Sequence, residues 1–147
     1  MARGNVDELT TALSTMLHGN RNDPTPTLPV AVRLATTCRE DSATAIGDAV
    51  RELIEAFHAR NDAGPSAIRM VIFTATADLR AAKPASAARA AGWTSAQYLC
   101  LAEMPTDDDL PHCIRALLIV DRGWTSPPLR PVYLNGTQSL RPDLAFD

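Results

Sequence analysis

Apolar and polar residues alternate in several short runs along this chain, and one run breaks the alternation. In Cys113-Ile114-Arg115-Ala116-Leu117-Leu118-Ile119-Val120, an extended strand would place Ile114, Ala116, Leu118 and Val120 on one face. Cys113, Leu117 and Ile119 would then lie on the other. A strand apolar on both faces is covered on both, by a helix layer or by a neighbouring subunit. Arg115 interrupts the second face. A guanidinium keeps its charge at physiological pH, so burial there obliges it to find an anion, either an internal carboxylate or a bound ligand.

The other elements follow from the same patterning. Val6, Leu9, Leu13 and Leu17 recur at helical spacing behind an Asn5/Glu8 capping box, with Gly19 as the stop. That predicts a short amphipathic helix, too short to persist alone, which docks on its own domain or on a partner subunit. Asn20 to Pro29 carries prolines among Asn, Asp and Thr and reads as a linker, so residues 1–28 form an appendage and 29–147 the main domain. In that domain Val30–Thr37 predicts a strand with Val30 and Val32 on one face and Arg33 and Ala35 near the other. Asp41 or Ser42 caps a long helix with the stripe Ile46, Val50, Leu53 and Phe57, ending at Asn61–Pro65. Arg69–Thr76 predicts a second strand, and Pro84 opens a short helix through Arg89 that stops at Gly92-Trp93. Gln97–Glu103 and Cys113–Asp121 are two further strands, joined by the acidic turn Pro105–Pro111. Val132–Leu134, Asn135-Gly136 and Gln138–Leu140 predict a closing hairpin with a type I′ turn. About five strands with helices on one face make a mixed α+β sheet. Its other face stays apolar and predicts oligomerisation.

Composition narrows the function. At 147 residues the chain is one domain in size. No apolar run approaches a membrane span, and a net charge of −3 offers no general attraction for nucleic acid or anionic membranes. Asp7 and Glu8 interrupt the start where a signal peptide would need an apolar stretch, which predicts a cytoplasmic protein. Cys38, Cys100 and Cys113 are widely spaced, and so are His18, His58 and His112. Neither disulfides nor a zinc site is expected, and the histidines read as solvated or helix-end residues. No phosphate-cradling glycine loop or hydrolase motif is present, so the chemistry is expected to need no metal, nucleotide or other cofactor.

Against this acidic background, Arg33, Arg89, Arg115 and Arg141 punctuate the elements. Each alone is compatible with a surface or ion-paired arginine. With Glu103, Cys100 and Tyr133 they suggest a pocket for a small, multiply anionic molecule carrying a hydroxyl, since the planar fork of arginine suits carboxylates.

Several segments carry a family resemblance over Val30 to Leu144. They are Arg33-x-Ala-Thr-Thr37, Thr74-Ala-Thr-x-Asp-Leu79, Pro84-Ala-x-x-Ala-x-Arg89, Gly92-Trp93 and Cys100-x-x-Glu-Met104. Cys113-Ile-Arg115, Val132-Tyr-Leu134 and Leu140-Arg-Pro-Asp-Leu144 complete the set. In order and spacing these resemble the trimeric AroH-type chorismate mutases. The resemblance implies the chorismate mutase fold, assembled as a trimeric pseudo-α/β barrel with active sites between subunits of a homotrimer. It also implies a Claisen rearrangement of chorismate to prephenate, serving aromatic amino acid or a related specialised biosynthesis. A pericyclic reaction needs no nucleophile, base or cofactor. Catalysis comes from holding the folded conformer of a flexible dianion and from placing charge where it develops. By the family pattern Arg115 points at the ether oxygen and a carboxylate, Arg33 and Tyr133 hold the enolpyruvyl carboxylate, and Glu103 with the Cys100 region accepts from the ring hydroxyl. Arg89, with Leu140 and Arg141, sits near the ring carboxylate and the pocket mouth, and Lys83 and Ala85 belong to the same binding set.

Three features depart from the family. Lys83-Pro84-Ala85-Ser86 stands where Phe-Pro-Ala-Lys is usual, so Lys83 either restores the positive charge from a new position or disturbs a substrate contact. Leu34 replaces a glycine after the first arginine. Ideal alternation also puts Cys100 and Glu103 on opposite strand faces, so both reach one pocket only if the strand bulges or ends between them. Two other readings stand beside the mutase. One is a trimeric deaminase-type enzyme with an intersubunit arginine, which accounts for neither Glu103 nor the Leu140-Arg141-Pro142 tail. The other is a non-catalytic trimeric module that binds chorismate or a related aromatic precursor.

Overall fold

A computed structural model describes residues 5–18 and 26–144, with the side chains of Asn5 and of residues 14–18 not described. Gly19 and most of the Asn20–Pro29 linker therefore lie outside the described residues. So do the Asn5 cap and the Leu17 side chain. The elements in chain order are α1 (Asn5–His18), β1 (Thr27–Thr37), α2 (Ala43–Arg60), β2 (Ile68–Ala75), α3 (Pro84–Ala90), β3 (Gln97–Ala102), β4 (Cys113–Gly123) and β5 (Val132–Tyr133). Short 3-10 turns cover Pro65–Ala67 and Thr137–Leu140. The sheet order is β3-β2-β4-β1-β5. Strand β4 runs antiparallel to β1 and β2, whereas β2–β3 and β1–β5 are parallel. No helix among the described residues is long and apolar enough to cross a membrane.

Helix α2 forms where its stripe predicts. Ser42 caps it by accepting from the Ala45 N–H at 3.1 Å, while Asp41 instead accepts from the backbone N–H groups of Arg80 and Ala81. Ile46, Val50, Leu53 and Phe57 are buried against the sheet face built by Val32, Leu34, Val71, Phe73, Ile114, Ala116, Leu118 and Val120. Trp93, just past α3, closes one end of this core. Its indole N–H donates to His58 Nε2 at 2.8 Å, leaving His58 Nδ1 to donate to the Ala63 carbonyl at 2.8 Å. His58 is thus a satisfied helix-end histidine.

Two expectations change. Strand β1 begins at Thr27, inside the stretch read as linker, because Thr27, Leu28 and Pro29 pair with Gly123, Arg122 and Asp121 of β4. Pro29 is tolerated because β5 covers the outer side of β1 only at Leu34 and Ala35. The expected closing hairpin is absent. Asn135 and Gly136 do adopt positive φ (53° and 86°), as the turn chemistry requires. The chain then winds into the Thr137–Leu140 turn, where the Thr137 hydroxyl donates to the carbonyls of Ala35 and Leu134, so β5 pairs parallel with β1 alone.

Among the described residues, nothing covers the second face of the sheet along β3, β2 and much of β4. Met70, Leu99, Leu101 and Leu117 all project from it and are 37–59% exposed. Helix α1 also presents Val6, Leu9 and Leu13 to solvent.

Candidate active site

Arg115 stands on this uncovered face, and its side chain is 48% exposed, so within one chain it is not the buried guanidinium that the apolar strand suggested. It nevertheless has an internal carboxylate partner. Glu103 follows β3 directly, its N–H bonded to the Ala75 carbonyl at 2.9 Å, and its side chain is only 10% exposed. Arg115 Nε donates to Glu103 Oε2 at 3.1 Å and Nη2 donates to Oε1, a fork-on-fork pair spanning β2. Thr74 lies between them. It is the residue of β2 opposite Arg115 in the ladder, and its hydroxyl also donates to Glu103 Oε2.

The pair forms one wall of a cleft of about 330 Å3, in the range of a small-molecule site. Arg33 reaches it from β1, Tyr133 from β5, and Leu140 and Arg141 from the end of the Thr137–Leu140 turn, while Ile72 and Leu117 supply apolar surface. Tyr133 is buried and paired with Ala35 in the ladder. Arg141 forks onto Asp143 at 2.8 and 2.7 Å. That hydrogen-bonded fork holds the Asp143 carboxyl down at about 2, so it stays ionised wherever the protein is folded in ordinary buffers. Three arginines therefore converge on the lining and meet two carboxylates, Glu103 on Arg115 and Asp143 on Arg141. The surplus is positive, and the Nη1 edge of Arg115 lies outside its pair. The arrangement suits a small molecule with more than one carboxylate.

The sequence profile of type I chorismate mutases matches residues 30–144. The chain belongs to the type I chorismate mutase family. It is similar to the chorismate mutase AroH of Thermus thermophilus, at 38% identity over 114 residues, 77% of this chain and 93% of the relative. It is likewise similar to the Bacillus subtilis AroH, at 33% identity over 116 residues, 78% of this chain and 91% of the relative. A solved chorismate mutase from Clostridium thermocellum superposes with a TM-score of 0.67 at 34% identity, covering 75% of this chain and 98% of its own.

As a type I chorismate mutase, the chain divides its expected site residues into two groups. Arg33, Glu103, Arg115, Tyr133, Leu140 and Arg141 line one cleft. Lys83, Ala85, Arg89 and Cys100 do not. Lys83 occupies the N-cap position of α3 without a side-chain capping bond and borders a groove between α2 and α3, and Ala85 is on the buried face of that helix. Arg89 sits over the Tyr98 ring at 5.2 Å. Cys100 packs against the helix-side core, whereas Glu103 lies past the end of β3 and joins the opposite face. The strand ends between them without bringing both into one cleft of the same chain. Leu34, in place of the glycine, is buried in the core cluster and also borders the cleft beside Arg33. Thr74 and Ile72 are lining residues that the arginine pattern did not point to. Period-two counting from Met70 would place them on this face, but only the strand order puts Thr74 between Glu103 and Arg115.

Proposed function

We propose that this chain converts chorismate to prephenate in clefts shared between neighbouring copies of a homotrimer. The observation that carries the proposal is the split of the site. An arginine-rich half-site opens on an apolar, uncovered sheet face, and the remaining binding residues of the family pattern sit elsewhere on the same chain. A second copy laid on that face would cover Leu99, Leu101 and Leu117 and could bring its own Lys83, Arg89 and Cys100 to the cleft of the first.

In the reaction one ether C–O bond breaks as a C–C bond forms within the same molecule, with no atom gained or lost. The chain's residues need only select the folded conformer and stabilise the separating charge. Arg115, anchored through Glu103, directs its Nη1 edge at the ether oxygen, where negative charge grows. Arg33 and Tyr133 hold the enolpyruvyl carboxylate, and Glu103 takes the ring hydroxyl. Arg141 and Leu140 close the mouth, with Arg89 of the neighbouring copy near the ring carboxylate. The test is to incubate purified chain with chorismate and follow substrate loss and prephenate formation. Turnover is expected. Binding of chorismate without turnover would make the protein a non-catalytic module instead.

A further inference from the structure

We propose that Thr74 is a positioning residue for this reaction: its hydroxyl saturates Glu103 Oε2 and so leaves Oε1 as the oxygen that receives the substrate's hydroxyl. The proposal rests on reading the cleft as the mutase site. The argument is a count of lone pairs. A carboxylate oxygen accepts at two positions. Among the described residues, Oε2 takes Arg115 Nε and Thr74 Oγ1, whereas Oε1 takes Arg115 Nη2 alone. Oε2 is full, and Oε1 has one acceptor position left.

Without the Thr74 donor, both oxygens would offer a free lone pair. Substrate hydroxyl and Arg115 could then engage the carboxylate in more than one arrangement. Glu103 is nearly buried, so the choice is made by its neighbours rather than by water. Thr74 can act this way because of its place in the sheet. It lies opposite Arg115 in the β2–β4 ladder, and the next residue, Ala75, accepts the Glu103 backbone N–H. One strand therefore fixes both the main chain and the side chain of Glu103. The hydroxyl is the only polar group of Thr74 that faces the pair, and valine has the same shape without it.

The test compares Thr74→Val, Thr74→Ser and Glu103→Gln, singly and as the Thr74→Val/Glu103→Gln double variant. Valine suits a strand, so the fold should survive. We expect Thr74→Val to lower kcat/KM about tenfold, the scale of one hydrogen bond to a charged group, and Thr74→Ser to restore it to within about twofold. In the Glu103→Gln background, Thr74→Val should cost nothing further, because the two changes act on one interaction. Normal turnover in Thr74→Val, or an equal loss with and without Glu103, would overturn the proposal.

A second readout does not depend on turnover. The Arg115 Nε–H proton should be protected and visible by NMR in the parent chain and in Thr74→Ser, and shifted or lost in Thr74→Val. An unchanged signal in Thr74→Val would also overturn the proposal. If the parent chain shows no turnover, the mutase reading fails, and the Nε–H signal still decides whether Thr74 sets the pair.

Discussion

Arg115 and Glu103 clasp each other across strand β2, the arginine rising from β4 and the glutamate from the end of β3. Because the carboxylate is nearly buried and the guanidinium half-exposed, the pair presents its cationic side to the cleft. An arginine in this position serves as a fixed donor already oriented before any ligand arrives. Two functions that looked like alternatives for this residue, internal ion pair and ligand contact, are therefore compatible: the fork satisfies Glu103 and leaves the Nη1 edge over.

The first prediction concerns that edge. Arg115→Lys keeps a charge but not a planar fork, so it cannot hold Glu103 and reach a ligand with the same geometry. Turnover should fall on the order of 100- to 1000-fold, the typical effect of removing one preorganised donor. Melting temperature and assembly state should change little, since the Arg115 side chain is half-exposed. Near-normal turnover in a folded, assembled variant would remove Arg115 from the mechanism.

Residues 5–18 make the second. Among the described residues, helix α1 supplies none that line the cleft, and β1 begins at Thr27. A chain starting at Pro26 should retain full turnover, with stability changed by no more than about 1 kcal/mol, the scale of a peripheral change. Urea titration beside a turnover assay checks both. Starting the chain at Val30 instead should cost more, because it removes the pairing of Thr27, Leu28 and Pro29 with β4.

The third is a pH dependence. Burial, reinforced by Asp41 and Asp78, pushes the Cys38 thiol up to about 11. Burial, reinforced by Asp109, Cys38 and Asp78, pushes Cys113 to about 11 as well. Both thiols remain protonated in the folded chain while the unfolded chain loses those protons near 9. Their contribution is complete below pH 9 and is lost as pH rises from about 9 to about 11. Melting temperature should fall across that window, and Cys113→Ala should flatten the fall. Alkylation of the native protein at pH 8 should spare both residues, since the thiolate is the reactive form.

Much of this molecule is written in its apolar spacing. The α2 stripe, the Pro84 helix start and the two-faced β4 run each lead to the element observed, because burial and local backbone chemistry favour the same structure there. The same period-two count assigns Arg33 and Arg115 each to a face of its own strand; that they and Tyr133 share one face follows from the pairing of β1 with β4 and β5. What escaped the sequence depends on which strands become neighbours. Thr27 to Pro29 resemble a linker until β4 is long enough to pair with them. Asn135-Gly136 makes the turn it encodes, but Thr137 then finds the Ala35 carbonyl and the chain coils instead of returning as a strand. Thr74 looks like one polar residue in an apolar strand, and its contact with Glu103 follows only from β2 lying between β3 and β4. The separation of Cys100 from Glu103 was legible from alternation alone. Its consequence, that Cys100 does not line the cleft that holds Glu103, required the fold.

We propose that one working site takes Arg115 from one copy and Arg89 from its neighbour. Arg115→Lys and Arg89→Ala chains, carrying different tags, should each turn over chorismate poorly when assembled alone. Co-expressed and purified through both tags, the mixed assembly should recover substantial turnover, since some of its clefts would hold an intact Arg115 facing an intact Arg89. No recovery in a folded, mixed assembly, or undiminished turnover by Arg89→Ala alone, would contradict a site shared between copies.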